Sequence, residues 1–327
     1  MRHLGLGIAV LAALASPAVA KGLSPDDVNG ASLENGEPSK AAILKAQVLL
    51  DRARYSPGAI DGISGDATEI ALKAFQVDKE LKPTGKLDAD TLGKLTEADS
   101  APIMMRYTIT AQDLKGPFAE KIPDDIAEKA KLDRLSYTSL REELAERFHM
   151  DEELLKALNP DADFGKDGTE IDVVSVEKQE GRASSSEAAA ERLVVDKSER
   201  TLRVFGKDNK LIALFPATIG SKDNPAPDGE TKITRVARVP TWNYDPKLKL
   251  EGEKDRPDEP MTVKPGPNNP VGVVWIALDR DHFGIHGTPE PEKVGKNQSS
   301  GCVRLTNWDV EELAGMVKKG VPVMFEE

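Results

Sequence analysis

The sequence predicts a multidomain protein: a small three-helix domain, then a small α+β domain, then a mostly-β domain with one main helix. Three observations predict this order. Apolar residues keep a helical period up to residue 96, the period changes to two from Arg192 onward, and an apolar-poor tract rich in serine separates the two regimes. A chain of 327 residues is also long enough for two or three domains of about 100–200 residues each. With 39% hydrophobic and 31% charged residues, the chain is too apolar for wholesale disorder and too polar to live in a bilayer. The formal charge of −12 argues against a nucleic-acid partner.

Residues 1–20 read as an address rather than as part of the fold. Arg2 and His3 precede an apolar run from Leu4 to Ala15, and Ala18-Val19-Ala20 supplies small residues for cleavage. This is the layout of a secretory signal peptide, with an apolar core too short for a finished membrane helix. No cysteine follows it, so no lipid anchor is expected. The expected location is the periplasm or the cell wall, with no membrane anchor.

Residues 40–96 hold the three predicted helices. Ile43, Leu44, Gln47, Leu49 and Leu50 keep a helical period before the turn Ser56-Pro57-Gly58. Asp66 is an expected cap for a second helix whose face carries Ala67, Ile70, Ala71, Ala74 and Phe75. Pro83-Thr84-Gly85 breaks the chain, and Asp88 or Asp90 can cap a third helix through Leu92 and Leu95. Gln47, Ile60-Asp61-Gly62, Ala74-Phe75-Gln76, Thr84-Gly85-Lys86-Leu87-Asp88 and Thr91-Leu92 follow one another in the order of the small peptidoglycan-binding module, which this segment resembles.

In residues 102–176, Tyr107-Thr108-Ile109-Thr110 alternates like a strand. Ser139 to Ala145 and Met150 to Leu158 read as two helices, and Thr169 to Val176 as a second strand. That order, with the ending Leu154…Leu158-Asn159-Pro160, resembles a LysM carbohydrate-binding module. About thirty residues between the first strand and the helix depart from it, which leaves a structural spacer as the alternative. Residues 177–190 read as a linker.

From residue 191 to 327 the pattern is that of strands: Leu193-Val194-Val195, Thr201 to Phe205, Leu211 to Ile219, Thr231 to Val239, and an apolar run from Val271 to Leu278. Gly206 to Asn209 reads as a hairpin turn. Trp308 to Lys319 reads as the main helix and Val321 to Phe325 as a closing strand. All three tryptophans (Trp242, Trp275 and Trp308) fall here and predict a well-anchored core.

The chain's single cysteine, Cys302, excludes an internal disulfide framework and any multi-cysteine metal site. It sits in Ser299-Ser300-Gly301-Cys302-Val303-Arg304-Leu305, sixteen positions after His286 in Gly284-Ile285-His286-Gly287-Thr288. Together with Pro225-Ala226-Pro227-Asp228-Gly229 and Gly266-Pro267-Asn268-Asn269-Pro270, these residues closely resemble the L,D-transpeptidase catalytic domain over about residues 193–326. Its signature is a His-Gly pair followed by Ser-His-Gly-Cys-apolar-Arg. Ser300 stands where that signature has its second histidine.

The resemblance implies a cysteine acyltransferase. Cys302 is the implied nucleophile and His286 its general base and then acid, with the Gly287 carbonyl orienting the other ring nitrogen. The backbone N–H groups of Gly301 and Cys302 are the expected oxyanion hole. A free thiol ionises near pH 8.5, so local help from an imidazole, Arg304 and backbone N–H groups is expected to lower that value. Arg304, Ser299 and Ser300 are expected at the substrate. Tyr244 and Asn269 join them because the proline-rich stretch Pro240 to Pro270 reads as a lid or pocket wall. His282, four residues before His286, is given a structural or pocket-edge role rather than a catalytic one.

The implied partners are peptidoglycan stem peptides and glycan strands, with no cofactor and no metal. The thioester formed on Cys302, with release of D-alanine, would be resolved by an amine on a second stem or on an acceptor protein. Resolution by water, giving an L,D-carboxypeptidase, endopeptidase or amidase, uses the same residues. A non-catalytic wall-binding protein is the other class, against which the His286/Cys302 pair speaks. A zinc peptidase lacks the ligands: no His-Glu-x-x-His motif is present.

Overall fold

The computed structural model describes residues 23–176, 189–222, 224–247, 257–297, 299 and 301–327. The signal-peptide and linker readings (residues 1–20 and most of 177–190) and the position of Ser300 lie outside them.

The described residues open with a short helix α1 (Pro25–Asn29) and a hairpin of two-residue strands, β1 (Leu33–Glu34) and β2 (Glu37–Pro38). Helices α2 (Lys40–Arg52), α3 (Asp66–Asp78) and α4 (Ala89–Ala98) follow. Their ends are chemically set. Ser39 caps α2 and Asp88 caps α4 through side-chain acceptance of backbone N–H groups. Asp66, expected as a cap, is instead the first helical residue, because Gly65 takes the extended cap conformation. Two buried glutamines close the turns between helices. Gln47 bonds Asp61, Thr68 and the Gly62 N–H, and Gln76 bonds Thr91, Lys86 and the Gly85 N–H.

The middle segment runs β3 (Met104–Thr108), α5 (Ile126–Lys131), α6 (Leu140–Arg147), α7 (Glu152–Leu158) and β4 (Glu170–Val174). β3 and β4 pair antiparallel, Met104 opposite Val174. The strand–helix–helix–strand order therefore forms, with α5 and its flanks inserted after the first strand. One hydrophobic cluster joins Leu44, Phe75 and Leu95 to Ile103, Leu144, Leu155 and Val173. The first two segments thus share a core, which also takes in Leu214 of the last segment.

That last segment contains β5 (Arg192–Asp196), β6 (Thr201–Phe205), β7 (Leu211–Pro216), β8 (Thr218–Ile219) and β9 (Gly229–Arg238). A hairpin follows, β10 (Trp242–Tyr244) with β11 (Met261–Val263), and then β12 (Val274–Leu278), β13 (Gly284–His286) and β14 (Val303–Arg304). α8 (Asn307–Met316), capped by Thr306, and β15 (Pro322–Glu326) complete it. Nine strands form one sheet in the order β7-β6-β5-β15-β9-β12-β13-β14-β8. The expected strand from Val271 begins only at Val274, because Gly272 turns the chain with φ +60°.

The tryptophans do not anchor the main core of this segment, which is built from aliphatic residues and phenylalanine. Trp242 packs in a small cluster with Tyr244, Ile126 and Leu135, Trp275 stacks on His286, and Trp308 stacks on His149 of the middle segment. Trp242 and Trp308 thus lie where the last segment meets the middle one, and a large flat side chain there covers more surface than an aliphatic one.

Candidate active site

Sixteen positions separate His286 from Cys302 in sequence, and the sheet closes that gap. β13 and β14 lie parallel, with Ile285 beside Val303 and His286 beside Arg304. The loop before β14 is pinned in place by Ser299. This serine is fully buried, its hydroxyl donates to the Cys302 carbonyl (2.6 Å) and accepts the Gly301 N–H (3.3 Å), and its N–H donates to the Gly220 carbonyl. Gly301 has φ +109°, and a Cβ there would lie 2.8 Å from the Phe283 ring, so only glycine fits.

Cys302 is half-buried, and its Sγ lies 3.5 Å from the His282 carbonyl, which accepts the thiol hydrogen. Burial pushes the thiol's pKa up, against the Gly284 N–H and the Arg304 charge, which both favour thiolate. The expected lowering is thus reversed, since loss of hydration outweighs the local help.

His286 is buried. Its Nδ1 donates to the Gly287 carbonyl at 2.7 Å, which leaves the Nε2 lone pair as the ring's base. Trp275 stacks on the ring at 5.3 Å between centroids. Burial, with help from the Arg304 charge, pushes His286 down to about 3, so the imidazole is neutral near pH 7. Arg304 acts on both groups and so lies between their fields. Its buried Nε has no hydrogen-bond partner among the described residues, and no carboxylate pairs with it there. A cation left in this state suits an incoming anionic group.

Tyr244 and Asn269 spend their polar side-chain groups on backbone outside this pair. Tyr244 is buried beside Ile126 and Leu135, and its hydroxyl donates to the Pro257 carbonyl. Asn269 is fully buried and spends its amide on a turn, donating to the Lys264 carbonyl and accepting the Val271 N–H. Ser299, expected at substrate, is likewise consumed by the loop it holds. Gly301 was expected in the oxyanion hole, yet its N–H is engaged by Ser299. The Cys302 N–H has no acceptor among the described residues. His282 is exposed and contributes only its carbonyl.

Sequence reasoning missed Trp275, whose place over His286 follows from the β12–β13 register, where the two residues are partners. It also missed Gly284, where a Cβ would run into the Trp275 ring at 2.6 Å. No group of residues able to hold a metal ion occurs among the described residues, and no helix there is long and apolar enough to cross a membrane. A groove of about 910 Å³ lies elsewhere, between the first helices and the last segment. It is lined by Asp66, Lys73, Arg200 and Lys296 among others, and includes neither His286 nor Cys302.

A neutral thiol and a neutral imidazole beside an uncompensated guanidinium, on a parallel strand pair inside a β-sheet, are the parts that a cysteine-dependent acyl transfer needs. The YkuD family, described as the L,D-transpeptidase catalytic domain, matches residues 190–324, and the "Putative peptidoglycan binding domain" family matches residues 39–95. The chain is 31% identical over 140 residues to "Putative L,D-transpeptidase YqjB" of Bacillus subtilis, covering 70% of that protein and 41% of this one. It is 32% identical over 132 residues to "Putative L,D-transpeptidase YkuD" of Bacillus licheniformis (63% of that protein, 40% of this one). It is 34% identical over 139 residues to "Probable L,D-transpeptidase YbiS" of Escherichia coli K12 (44% and 41%). The chain belongs to the L,D-transpeptidase family, whose members are cysteine-dependent acyltransferases.

Proposed function

We propose that this protein is an exported cell-wall L,D-transpeptidase with Cys302 as nucleophile. The observation that carries the reading is the buried His286, whose Nδ1–H is fixed on the Gly287 carbonyl and whose free lone pair sits on the strand paired with the Cys302 segment.

The resting pair is neutral, so the reaction begins as general-base catalysis rather than from a standing thiolate. Nε2 of His286 takes the thiol proton as Sγ attacks the carbonyl of the third-position diamino acid in a tetrapeptide stem. The Cys302 N–H receives the developing oxyanion. Collapse breaks the C–N bond, the imidazolium returns its proton to the departing D-alanine amine, and a thioester remains. An amine of a second stem, or of an acceptor protein, then attacks the thioester and passes its proton to His286, restoring the thiol. The imidazolium is costly in this buried site and beside Arg304. Its lifetime is therefore short, and the proton is readily handed on.

Arg304 binds a stem-peptide carboxylate, for which its unpaired guanidinium is suited. The segment matching a peptidoglycan-binding family holds the enzyme at an insoluble polymer and raises its effective concentration there. The antiparallel pair β3–β4 with its two helices supports a LysM-like glycan contact in the middle segment.

Incubation with disaccharide-tetrapeptides, followed by mass spectrometry, tests the reading. Dimers linked between third positions are expected from the wild type and none from Cys302→Ala. Tripeptide monomers alone would assign the same thioester to hydrolysis. No product from either protein would refute the enzyme.

A further inference from the structure

The middle segment reaches into the catalytic segment at one buried point. Glu146 on α6 is buried, and its two carboxyl oxygens accept hydrogen bonds from the Asn307 Nδ2 at 3.2 and 3.0 Å. Asn307 opens α8 and is itself 3% exposed, so its orientation is set by its bonds. Nδ2 also donates to the Pro267 carbonyl (3.2 Å), and Oδ1 accepts the Val273 N–H (3.2 Å).

Oδ1 is wedged against two glycines, Gly272 and Gly287, and a Cβ built on either would overlap it. Gly287 is the residue whose carbonyl holds the His286 Nδ1–H. A continuous series of contacts thus runs from the Glu146 carboxyl through Asn307 and the Gly287 backbone to the imidazole. Around Glu146 stand Tyr137, which donates to it at 3.3 Å, Glu142 on its own helix, and Glu311 on α8. Arg304 faces the imidazole. Among the described residues of the catalytic segment, the one other acceptor for Nδ2 is the Pro267 carbonyl.

We infer that Glu146 and Asn307 are positioning residues for His286, so that a side chain outside the catalytic segment sets the imidazole on which the thiol depends. The inference rests on the proposed pairing of His286 with Cys302, though not on the identity of the substrate. Its physical basis is that catalytic groups lose ten- to hundredfold in rate when displaced by about 1 Å. Gly287 has no side chain to lock its own peptide plane. An external wedge is the way to hold its carbonyl in line with Nδ1.

The test uses the full-length protein and needs no peptide substrate. Iodoacetamide alkylation of Cys302 is followed at pH 7.5, with His286→Ala as the floor, and the His286 Nδ1–H resonance is recorded by ¹⁵N-edited NMR. Glu146→Ala and Asn307→Ala are expected to slow alkylation about tenfold or more toward the floor and to broaden or shift the Nδ1–H signal. Glu146→Gln keeps an acceptor for Asn307 and is expected to stay within about twofold of wild type, as is Tyr137→Phe. Two results would overturn the inference. One is wild-type alkylation and an unmoved Nδ1–H signal in Asn307→Ala, which is read even if Glu146→Ala fails to fold. The other is a Glu146→Gln variant as slow as a folded Glu146→Ala. A protein that makes no peptide product yet shows these alkylation differences would refute the proposed substrate and leave the positioning role standing.

Discussion

At the scale of single residues, the proposed chemistry turns on two groups whose charges are withdrawn by burial. The motif residues His286 and Cys302 were legible from the sequence because their flanking pattern is long and specific. Their protonation was not. Sequence suggested a thiol helped toward ionisation, whereas the folded site strips its water and leaves both partners neutral. This gives a pH prediction. With the imidazole pushed down to about 3, the His286 ring resonances in the free protein are expected to be flat from pH 5 to 8. An inflection near 6.5 would contradict the buried neutral ring. Tyr244 and Asn269 illegibly resembled pocket residues for a physical reason: a polar side chain in a proline-rich loop reads the same whether it meets substrate or stitches its own turn. In the fold these side chains bond the Pro257 and Lys264 carbonyls, partners that no local pattern reveals.

Among the elements, the period-two runs from Arg192 onward and the helix near residues 308–319 were readable from pattern, since each buries one face or one stripe. The pairing that creates the site, β13 parallel to β14, was not. Both strands are two or three residues long, below what periodicity can register, and their pairing, Ile285 beside Val303, exists only in the register of the fold. Ser299 is the pin of the loop before β14. Ser299→Ala would leave the Gly301 N–H buried without its acceptor, at a cost of about 1–3 kcal/mol. A urea midpoint lowered in line with that loss of stability, with acyl transfer reduced more than substrate binding, is the expected outcome. Unchanged stability with weakened substrate binding would instead restore Ser299 as a substrate contact.

For the whole molecule, the segments distinguished by composition are less separate than the sequence implied. The first two share one hydrophobic cluster, and all three meet at a polar junction. There Asp309 of α8 accepts from Ser56, His149 bonds Asp51 and stacks on Trp308, and Glu146 holds Asn307. Such contacts join residues about a hundred or more positions apart and leave no mark in any local pattern. Burial, above all, pushes Asp309 up to about 7, with the nearby Asp51 charge adding to it. An acid with a raised folded pKa stays protonated after the unfolded chain has ionised. Its contribution to stability is complete below about pH 4 and is lost as pH rises toward 7. His286, with a lowered folded value, acts oppositely below pH 6.5. The difference between wild type and Asp309→Asn isolates the junction: the wild type should lose urea resistance from pH 4 to 7 relative to the variant. Parallel curves would place the Asp309 proton elsewhere.

The central claim, that Cys302 carries the acyl group, is tested most directly by the intact mass of the protein during incubation with disaccharide-tetrapeptide. The wild type should gain the mass of the acyl donor less D-alanine, located at Cys302 by peptide mapping, and lose it when an acceptor amine is added. Cys302→Ala should stay unmodified. An adduct that persists in Cys302→Ala, or product formed with no adduct under any quench condition while Cys302→Ala remains active, would contradict the account.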